Sequence, residues 1–344
     1  MSLKINIKKS LPSFNLNINF EHDNGILGIL GASGSGKSMT LKSIAGLINP
    51  DSGSIILNNK ILFDSKNKIN LKPQKRSAGY LFQNYALFPN MTVKENIQAG
   101  LFNLSKGERE KTAEYYIEKL NLKGLENHYP NELSGGQMQR TALARAMAPE
   151  PDILLLDEPF SALDIHLKSQ LEKDLIPILK EYKGIVIMVS HNIEEAYRIC
   201  DKIIVYDKGN AFSKRNKKDL FKNPTTLAEA RLTGFENIFN CKKVNDYDVY
   251  IEDMSFTLHS KKNIDDNIKY IAFRSHDIEL TSFDKRNANC SFKISNIIEN
   301  PFNYKVYISN NNYKNIEIDL SKTNFNFKIN DLVNVKIKNF VFLL

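Results

Sequence analysis

Hydrophobic and polar positions change rhythm twice along the chain. "LKINIK" and "FNLNINF", within residues 3–20, alternate with period two and predict two half-buried strands. "GILGIL" (Gly25 to Leu30) is a short apolar run ending at a glycine-rich loop, and "KSMTLKSIAGL" after it carries helical spacing. "GSIILNN", "ILFD" and "SAGYLFQN" predict further strands, and a mostly helical stretch covers about Thr92 to Ala148. "DILLLDE" (Asp152 to Glu158), "GIVIMVSH" and "KIIVYD" are buried-strand patterns. Helices separate them: one from about Leu163 to Tyr182, interrupted near Pro177, and one through "NIEEAYRI". Apolar strands alternating with helices predict an α/β domain whose parallel sheet is covered on both faces.

After about Gly234 the period becomes two throughout. "VYIEDMSFTLHS", "IKYIAFRSHDIEL", "CSFKISNIIEN" and "YKVYISNNNYKNIEIDL" are separated by Asn-, Asp- and Lys-rich turns. This predicts a second, all-β domain, an antiparallel barrel or sandwich, with the boundary between Thr233 and Asn237. The expected domains are therefore 1–233 and 234–344.

Composition supports globular domains: 344 residues, 42% hydrophobic and 25% charged. The net charge of +8 permits an anionic partner, although the basic residues are scattered. Cys200, Cys241 and Cys290 have no metal-type spacing and an odd count, which argues against a disulfide framework. "MSLKINIKKS" reads as a strand and lacks the apolar core of a secretory signal. No segment approaches the ~18 to 20 apolar residues that span a bilayer. A soluble protein is expected, with any membrane role supplied by a partner.

Candidate chemistry sharpens this picture. Gly31, Ala32, Ser33, Gly34, Ser35, Gly36, Lys37 and Ser38 fit G-x-x-x-x-G-K-[ST] in full, with a strand before and a helix after. Such glycines let backbone N–H groups turn toward phosphates. Lys37 supplies a point charge to the β- and γ-phosphates, the Ser38 hydroxyl is a Mg²⁺ ligand, and the helix start adds favourable field. Asp157 and Glu158 end a buried strand; Asp157 is placed to hold Mg²⁺, and Glu158 to orient and deprotonate an attacking water. His191 also closes a strand, at the edge where open α/β sheets bind ligands, and its ring N–H is a donor for a γ-phosphate. Gln83, just after a strand, offers a neutral amide to Mg²⁺ or to the attacking water.

"LSGGQ" (Leu133, Ser134, Gly135, Gly136, Gln137) is a second glycine-bearing helix start, and chance would place it in a chain of this length roughly once in two thousand. With it, the chain resembles the ATP-binding subunits of ABC transporters. The loop Gly31–Ser38, Gln83, "LSGGQ", "LLLDE" (154–158), "SALD" (161–164) and His191 are similar to that family's Walker A, Q-loop, signature, Walker B, D-loop and H-loop, in its order, over about 230 residues.

The resemblance implies a P-loop ABC ATPase domain with a helical subdomain at about 85–150, and ATP and Mg²⁺ as cofactors. It implies head-to-tail dimerisation with a second copy, so that the Ser134–Gly135–Gly136 helix start faces the γ-phosphate held by the partner's glycine loop. Ser161, Ala162, Leu163 and Asp164 would cross the same interface. The family usually stacks an early aromatic on adenine; Phe14 is the nearest candidate here and reads equally as a core strand residue.

"QNYALFPNMTVKENI" (Gln83 to Ile97) resembles the region where Tyr85, Leu87 and Phe88 would receive a helix of an integral membrane permease, the alternative being core packing. That implies a peripheral protein on the cytoplasmic face of the membrane, working indirectly with an extracytoplasmic binding protein. The β-rich tail, with "IAFRSHDIEL", resembles the OB-like regulatory domain of importer subunits, and oxyanion binding there is one expectation. "INLKPQKRSAGYLFQNYALFPNMTV" and "ARLTGFENIF" are most similar to molybdate, or sulfate/molybdate, importers. Sulfate, polyamine, iron or sugar import would use nearly the same motor. A soluble ABC ATPase acting on nucleic acid is the reading from another class. Against it, the chain has one glycine loop, no sustained heptads and no dense interleaving of aromatics with Arg and Lys.

Overall fold

The computed structural model describes residues 1–344 apart from 13, 162–164, 255, 284–290, 310–314 and 324, with the backbone alone for 165–167. It divides into two compact units, Met1–Lys217 and Lys218–Leu344.

The first unit opens with β1 (Leu3–Ser10) and β2 (Asn15–His22), an antiparallel pair whose apolar alternates Leu3, Ile5, Ile7, Leu16, Ile18 and Phe20 all face the core. Next come β3 (Ile26–Gly31), α1 (Lys37–Ala45), β4 (Ser52–Leu57), β5 (Lys60–Asp64), β6 (Ile69–Asn70) and β7 (Ala78–Leu81). Three helices follow, α2 (Val93–Gln98), α3 (Lys106–Lys119) and α4 (Gly135–Met147). Each begins with a reciprocal capping box, Thr92 with Glu95, Ser105 with Glu108 and Ser134 with Gln137. Side-chain caps contribute about 1 kcal/mol each, and they define where these helices start. The chain then runs through β8 (Ile153–Asp157), α5 (Ile165–Lys180), β9 (Ile185–Ser190), α6 (Ile193–Ile199), β10 (Lys202–Asp207), β11 (Asn210–Ala211) and β12 (Arg215–Asn216). Pro177 lies inside α5, which continues to Lys180.

Twelve strands among the described residues form one sheet, in the order β6-β5-β4-β1-β2-β11-β10-β3-β9-β8-β7, with β12 beside β10. From β10 to β7 the pairing is parallel, and from β6 to β2 it is antiparallel. Every residue of β3, β8 and β9 is buried, as parallel strands covered on both faces require. Because β3, β9, β8 and β7 are parallel neighbours, the residues following their C-terminal ends emerge along one edge. Those residues are the glycine loop, His191, Glu158 and Gln83 respectively.

Between the α/β and all-β elements lie α7 (Lys217–Lys222) and α8 (Leu227–Leu232), and the first strand of the β-rich part is Asn237–Lys243. In the second unit, five strands pair in the order Phe256–His259, Asp248–Ile251, Asn237–Lys243, Tyr270–Phe273 and Val341–Leu343. Five others pair as Ile278–Ser282, Leu332–Ile337, Ser291–Glu299, Asn303–Ser309 and Ile316–Ser321. All these pairings are antiparallel, and one core containing Phe239, Val249, Ile251, Phe292, Ile294 and Val306 draws on both sheets. The expected architecture, an α/β P-loop domain followed by an all-β OB-like domain, is the one observed. Cys200 and Cys241 are buried free thiols, and Cys290 lies outside the described residues.

Candidate functional site

Leaving β3, the backbone turns through Gly31–Gly36 into α1. Two of these positions admit only glycine. A Cβ on Gly31 would stand 2.5 Å from the Tyr206 carbonyl oxygen, and one on Gly36 would stand 2.3 Å from the Leu16 side chain. Gly36 also has φ 100° and caps α1 without any side-chain hydrogen bond. The first N–H groups of α1 therefore lack the capping partners that α2, α3 and α4 possess. Ser35, at the same turn, has a buried hydroxyl with no partner.

The Lys37 amine folds back on the loop, donating to the carbonyls of Gly31 (2.8 Å) and Ala32 (2.9 Å). Burial pushes its pKa below the usual lysine value, and the carboxylates of Glu158 and Asp157 partly oppose that shift. Ala32, Ser33 and Gly34 remain exposed.

Asp157 ends β8 at 5% exposure, with both carboxylate oxygens engaged. Ser38 Oγ donates to Oδ1 at 2.6 Å, and Tyr80 OH on the neighbouring β7 donates to Oδ2 at 2.8 Å. The pKa of Tyr80 is raised by burial and by Asp157, so the phenol stays a neutral donor.

Glu158 adopts φ 48°, a left-handed conformation that costs a non-glycine residue about 1 kcal/mol or more. Its N–H donates to the Val189 carbonyl (3.1 Å), and its own carbonyl accepts from the Ser161 N–H (3.2 Å) and hydroxyl (3.0 Å). These three bonds hold the strained turn. They also aim the side chain at two predicted partners: Gln83 Nε2 donates to Glu158 Oε2 at 3.3 Å, and His191 Nδ1 stands 3.3 Å from the same oxygen. Lys37, Ser38, Gln83, Asp157, Glu158 and His191 thus converge at the C-terminal edge of four parallel strands.

The donor set fits a nucleotide with a hard divalent cation. A helix start without caps, an orphaned Ser35 hydroxyl and a buried ammonium suit phosphate oxygens. One carboxylate and one hydroxyl, Asp157 and Ser38, suit Mg²⁺, which is commonly held by one or two carboxylates together with substrate phosphates.

Other predicted residues lie apart from this cluster. In the signature stretch, Leu133 is buried and Ser134 is exposed at the N-terminus of α4. The Ser134 N–H donates to Gln137 Oε1 (2.8 Å), and the Gln137 N–H donates to Ser134 Oγ (3.4 Å). Gly136 leaves 3.1 Å between its missing Cβ and Leu171 of α5. Among the described residues, no hydrogen bond joins this stretch to the glycine loop. Ser161 is described, whereas Ala162, Leu163 and Asp164 lie outside the described residues. Phe14 packs partly buried against the core, its ring beside Gly36 and Gly209.

Within Gln83–Ile97 the outcome is mixed. Tyr85 is 7% exposed and points inward, whereas Phe88 is 46% exposed and Met91 is also at the surface. Arg145 fastens this segment, donating to the carbonyls of Tyr85 (2.8 Å) and Ala86 (2.6 Å) with its guanidinium 5.2 Å from the Phe88 ring. The fully buried Asn96 exchanges hydrogen bonds with Phe88 and donates to Met91 and Thr92. Sequence reasoning missed Tyr80, whose only local signal is its place on a strand leading to Gln83.

Residues 14–161 match the ABC transporter family. The chain is 35% identical over 353 residues to the sulfate/thiosulfate import ATP-binding protein CysA of Mesostigma viride, covering 99% of this chain and 94% of that one. It is 41% identical over 256 residues to the molybdate/tungstate import ATP-binding protein WtpC of Methanocaldococcus jannaschii, covering 73% of this chain and 82% of the relative. The Fe(3+) ions import ATP-binding protein FbpC of Haemophilus influenzae is 40% identical over 211 residues, 60% of its own length and 61% of this chain. Among solved structures, the dimeric post-hydrolysis form of the ATP-binding cassette MJ0796, bound to ADP and Pi, aligns with a TM-score of 0.54 at 30% identity, covering 63% of this chain and 99% of that chain.

Proposed function

The chain belongs to the ABC transporter family, among its import ATP-binding proteins, and from that premise we propose that it hydrolyses ATP at a site shared by two copies to drive oxyanion import. The observation that carries the reading is the convergence of Gln83 and His191 on one oxygen of Glu158, beside the Asp157–Ser38 pair.

In this reading Lys37 and the N–H groups of Gly31–Ser38 bind the phosphates. Ser38 and Asp157 would hold Mg²⁺, and Gln83, which donates to Glu158, would contact the ion or the attacking water. When bound, Mg²⁺ neutralises charge on the phosphate oxygens. Glu158 is the general base: its carboxylate is held by Gln83 and His191. His191, beside the same Glu158 oxygen, would donate toward the γ-phosphate. Phe14, next to Gly36, is near enough to the loop to meet the base of a nucleotide.

The second copy supplies what one chain lacks. Ser134, Gly135 and Gly136 begin a helix that makes no bond to its own glycine loop, so a γ-phosphate on a partner's loop is the ligand we assign to it. Ser161 would lie at that junction, and the remaining residues of the SALD stretch fall outside the described residues. Phe88 and Met91, exposed on a segment clamped by Arg145 and Asn96, form the surface we assign to the membrane permease. Among the described residues no helix is long and apolar enough to cross a membrane, so the permease would hold the protein at the cytoplasmic face, with a binding protein delivering cargo outside.

As cargo we propose a tetrahedral oxyanion, molybdate first. The relatives named for molybdate/tungstate are 41% and 38% identical, and the relative matching nearly the whole chain is named for sulfate/thiosulfate. The OB-like unit is a candidate for sensing the same anion.

Glu158→Gln tests the shared site. The variant should bind ATP, lose turnover by several orders of magnitude, and elute as a dimer with ATP and Mg²⁺ but as a monomer without them. A variant that stays monomeric at saturating ATP would refute the shared site.

A further inference from the structure

His191 occupies a turn whose preceding residue, Ser190, is tied to a buried side chain and whose following residue, Asn192, is tied to Ser190. Glu195, on the first turn of α6, is 4% exposed. Its Oε2 accepts from Ser190 Oγ at 2.6 Å, and its Oε1 pairs with the Lys168 ammonium from α5. Ser190 Oγ in turn accepts from the Asn192 N–H at 2.9 Å, closing the backbone on either side of His191. The Asn192 side chain accepts from the N–H groups of Glu194 (2.9 Å) and Glu195 (3.1 Å), capping α6. The His191 side chain itself is 60% exposed, and its contact with Glu158 is long at 3.3 Å. A ring this exposed depends on its backbone turn for its position.

We propose that Glu195 is the positioning residue of His191, acting through Ser190, and that Lys168 compensates its buried charge while linking the turn to α5, the helix that follows Ser161. A solvated α6 would not need the arrangement: its neighbour Glu194 is 75% exposed and pairs with Arg198 in the ordinary i,i+4 manner. A carboxylate is expensive to bury unless paired and hydrogen-bonded. Glu195 is both, and every bond it makes through its carboxylate leads either to the His191 turn or to α5. The linkage ties α5 to the His191 turn through Lys168, Glu195 and Ser190 in sequence.

This inference rests on the reading of His191 as a catalytic residue, and the test separates the two. Steady-state ATP hydrolysis is measured for Glu195→Ala, Ser190→Ala and His191→Ala, and for each of the first two combined with His191→Ala. Loss of positioning should lower kcat about 10- to 100-fold while the KM for ATP changes less than about threefold, because a misplaced group costs rate rather than ground-state affinity. In the His191→Ala background neither substitution should lower kcat further, as expected of residues acting through one group. Losses that multiply with His191→Ala, or Glu195→Ala and Ser190→Ala both at full kcat, overturn the inference alone. His191→Ala at full kcat overturns the reading of His191, and the inference with it. Ser190→Ala removes one oxygen atom and keeps the Lys168–Glu195 pair, so it carries the test if Glu195→Ala does not fold.

Discussion

Replacing Tyr80 by phenylalanine removes one oxygen and changes little else. The ring is packed beside Phe82, with centroids 4.3 Å apart, and keeps that contact. What is lost is the 2.8 Å hydrogen bond to Asp157 Oδ2. That oxygen belongs to a carboxylate only 5% exposed, so water is poorly placed to replace the phenol. A hydrogen bond to a charged group contributes about 1.5–3 kcal/mol. At about 1.4 kcal/mol per decade, that corresponds to roughly 10- to 100-fold, the range found when groups that hydrogen-bond to metal ligands are removed. If Tyr80 orients Asp157 toward the cation, the Mg²⁺ concentration for half-maximal turnover at saturating ATP should rise by that factor. Binding of a fluorescent ATP analogue without Mg²⁺ should be unchanged, since Tyr80 makes no hydrogen bond to the glycine loop. An unaltered Mg²⁺ requirement, or an equal loss of nucleotide affinity in Mg²⁺-free buffer, would refute the assignment.

Two further predictions concern stability. Gly53 on β4 has φ 107°, and a Cβ there would stand 1.9 Å from the Asn6 carbonyl oxygen, a backbone atom of β1 that cannot step aside. Gly53→Ala should cost about 3 kcal/mol or more, read as a lower urea midpoint with little change in slope. His22 is fully buried, its Nε2 facing the Gly25 carbonyl at 3.2 Å, and burial lowers its pKa below 6.5, with Lys214 and Lys202 adding to the shift and the Gly25 contact opposing it. The unfolded chain therefore binds a proton that the folded one refuses. Its contribution is fully present above pH 6.5 and is lost as pH falls through the folded pKa. His22→Gln should flatten the acid limb of the stability curve below pH 6.5, and identical limbs for the two proteins would rule this out.

The parts of the structure visible in advance are those written in neighbouring residues. "LKINIK" and "FNLNINF" bury their alternate positions as the period requires, and the runs "ILLLD" and "IVIMVS" are buried throughout. The glycine loop could be located because its strand, turn and helix are contiguous. What stayed hidden depends on lateral neighbours. Tyr80 and Asp157 meet only because β7 lies beside β8, and the four residues of "AGYL" do not reveal that. Glu194 and Glu195 read alike within "NIEEAYRI", yet one faces solvent and the other is enclosed by Lys168 and Ser190. Tyr85 read as a surface aromatic beside Phe88. The left-handed φ of 61° at Tyr85 and 44° at Ala86 turns the tyrosine inward, and Arg145, sixty residues later, holds that turn.

The two helix starts that share a glycine-rich character differ in how their donors are satisfied, and that difference suits different tasks. α4 carries its own cap: Ser134 and Gln137 satisfy each other's N–H groups. Such a helix is stable alone and can meet an anion presented late, by another molecule. α1 has no side-chain cap, and Lys37 spends its charge on two neutral carbonyls of the loop while burial lowers its pKa. A phosphate placed there would satisfy the uncapped N–H groups and return an anionic partner to a buried ammonium, so the loop has most to gain from binding first. If the proposed shared site holds, this chemistry sets an order: nucleotide on the glycine loop, then the self-capped helix of a second copy. Should a chain with Lys37 and Ser38 intact bind ATP only after a second copy has docked, that order would be wrong, and the capping box at Ser134 would need another explanation.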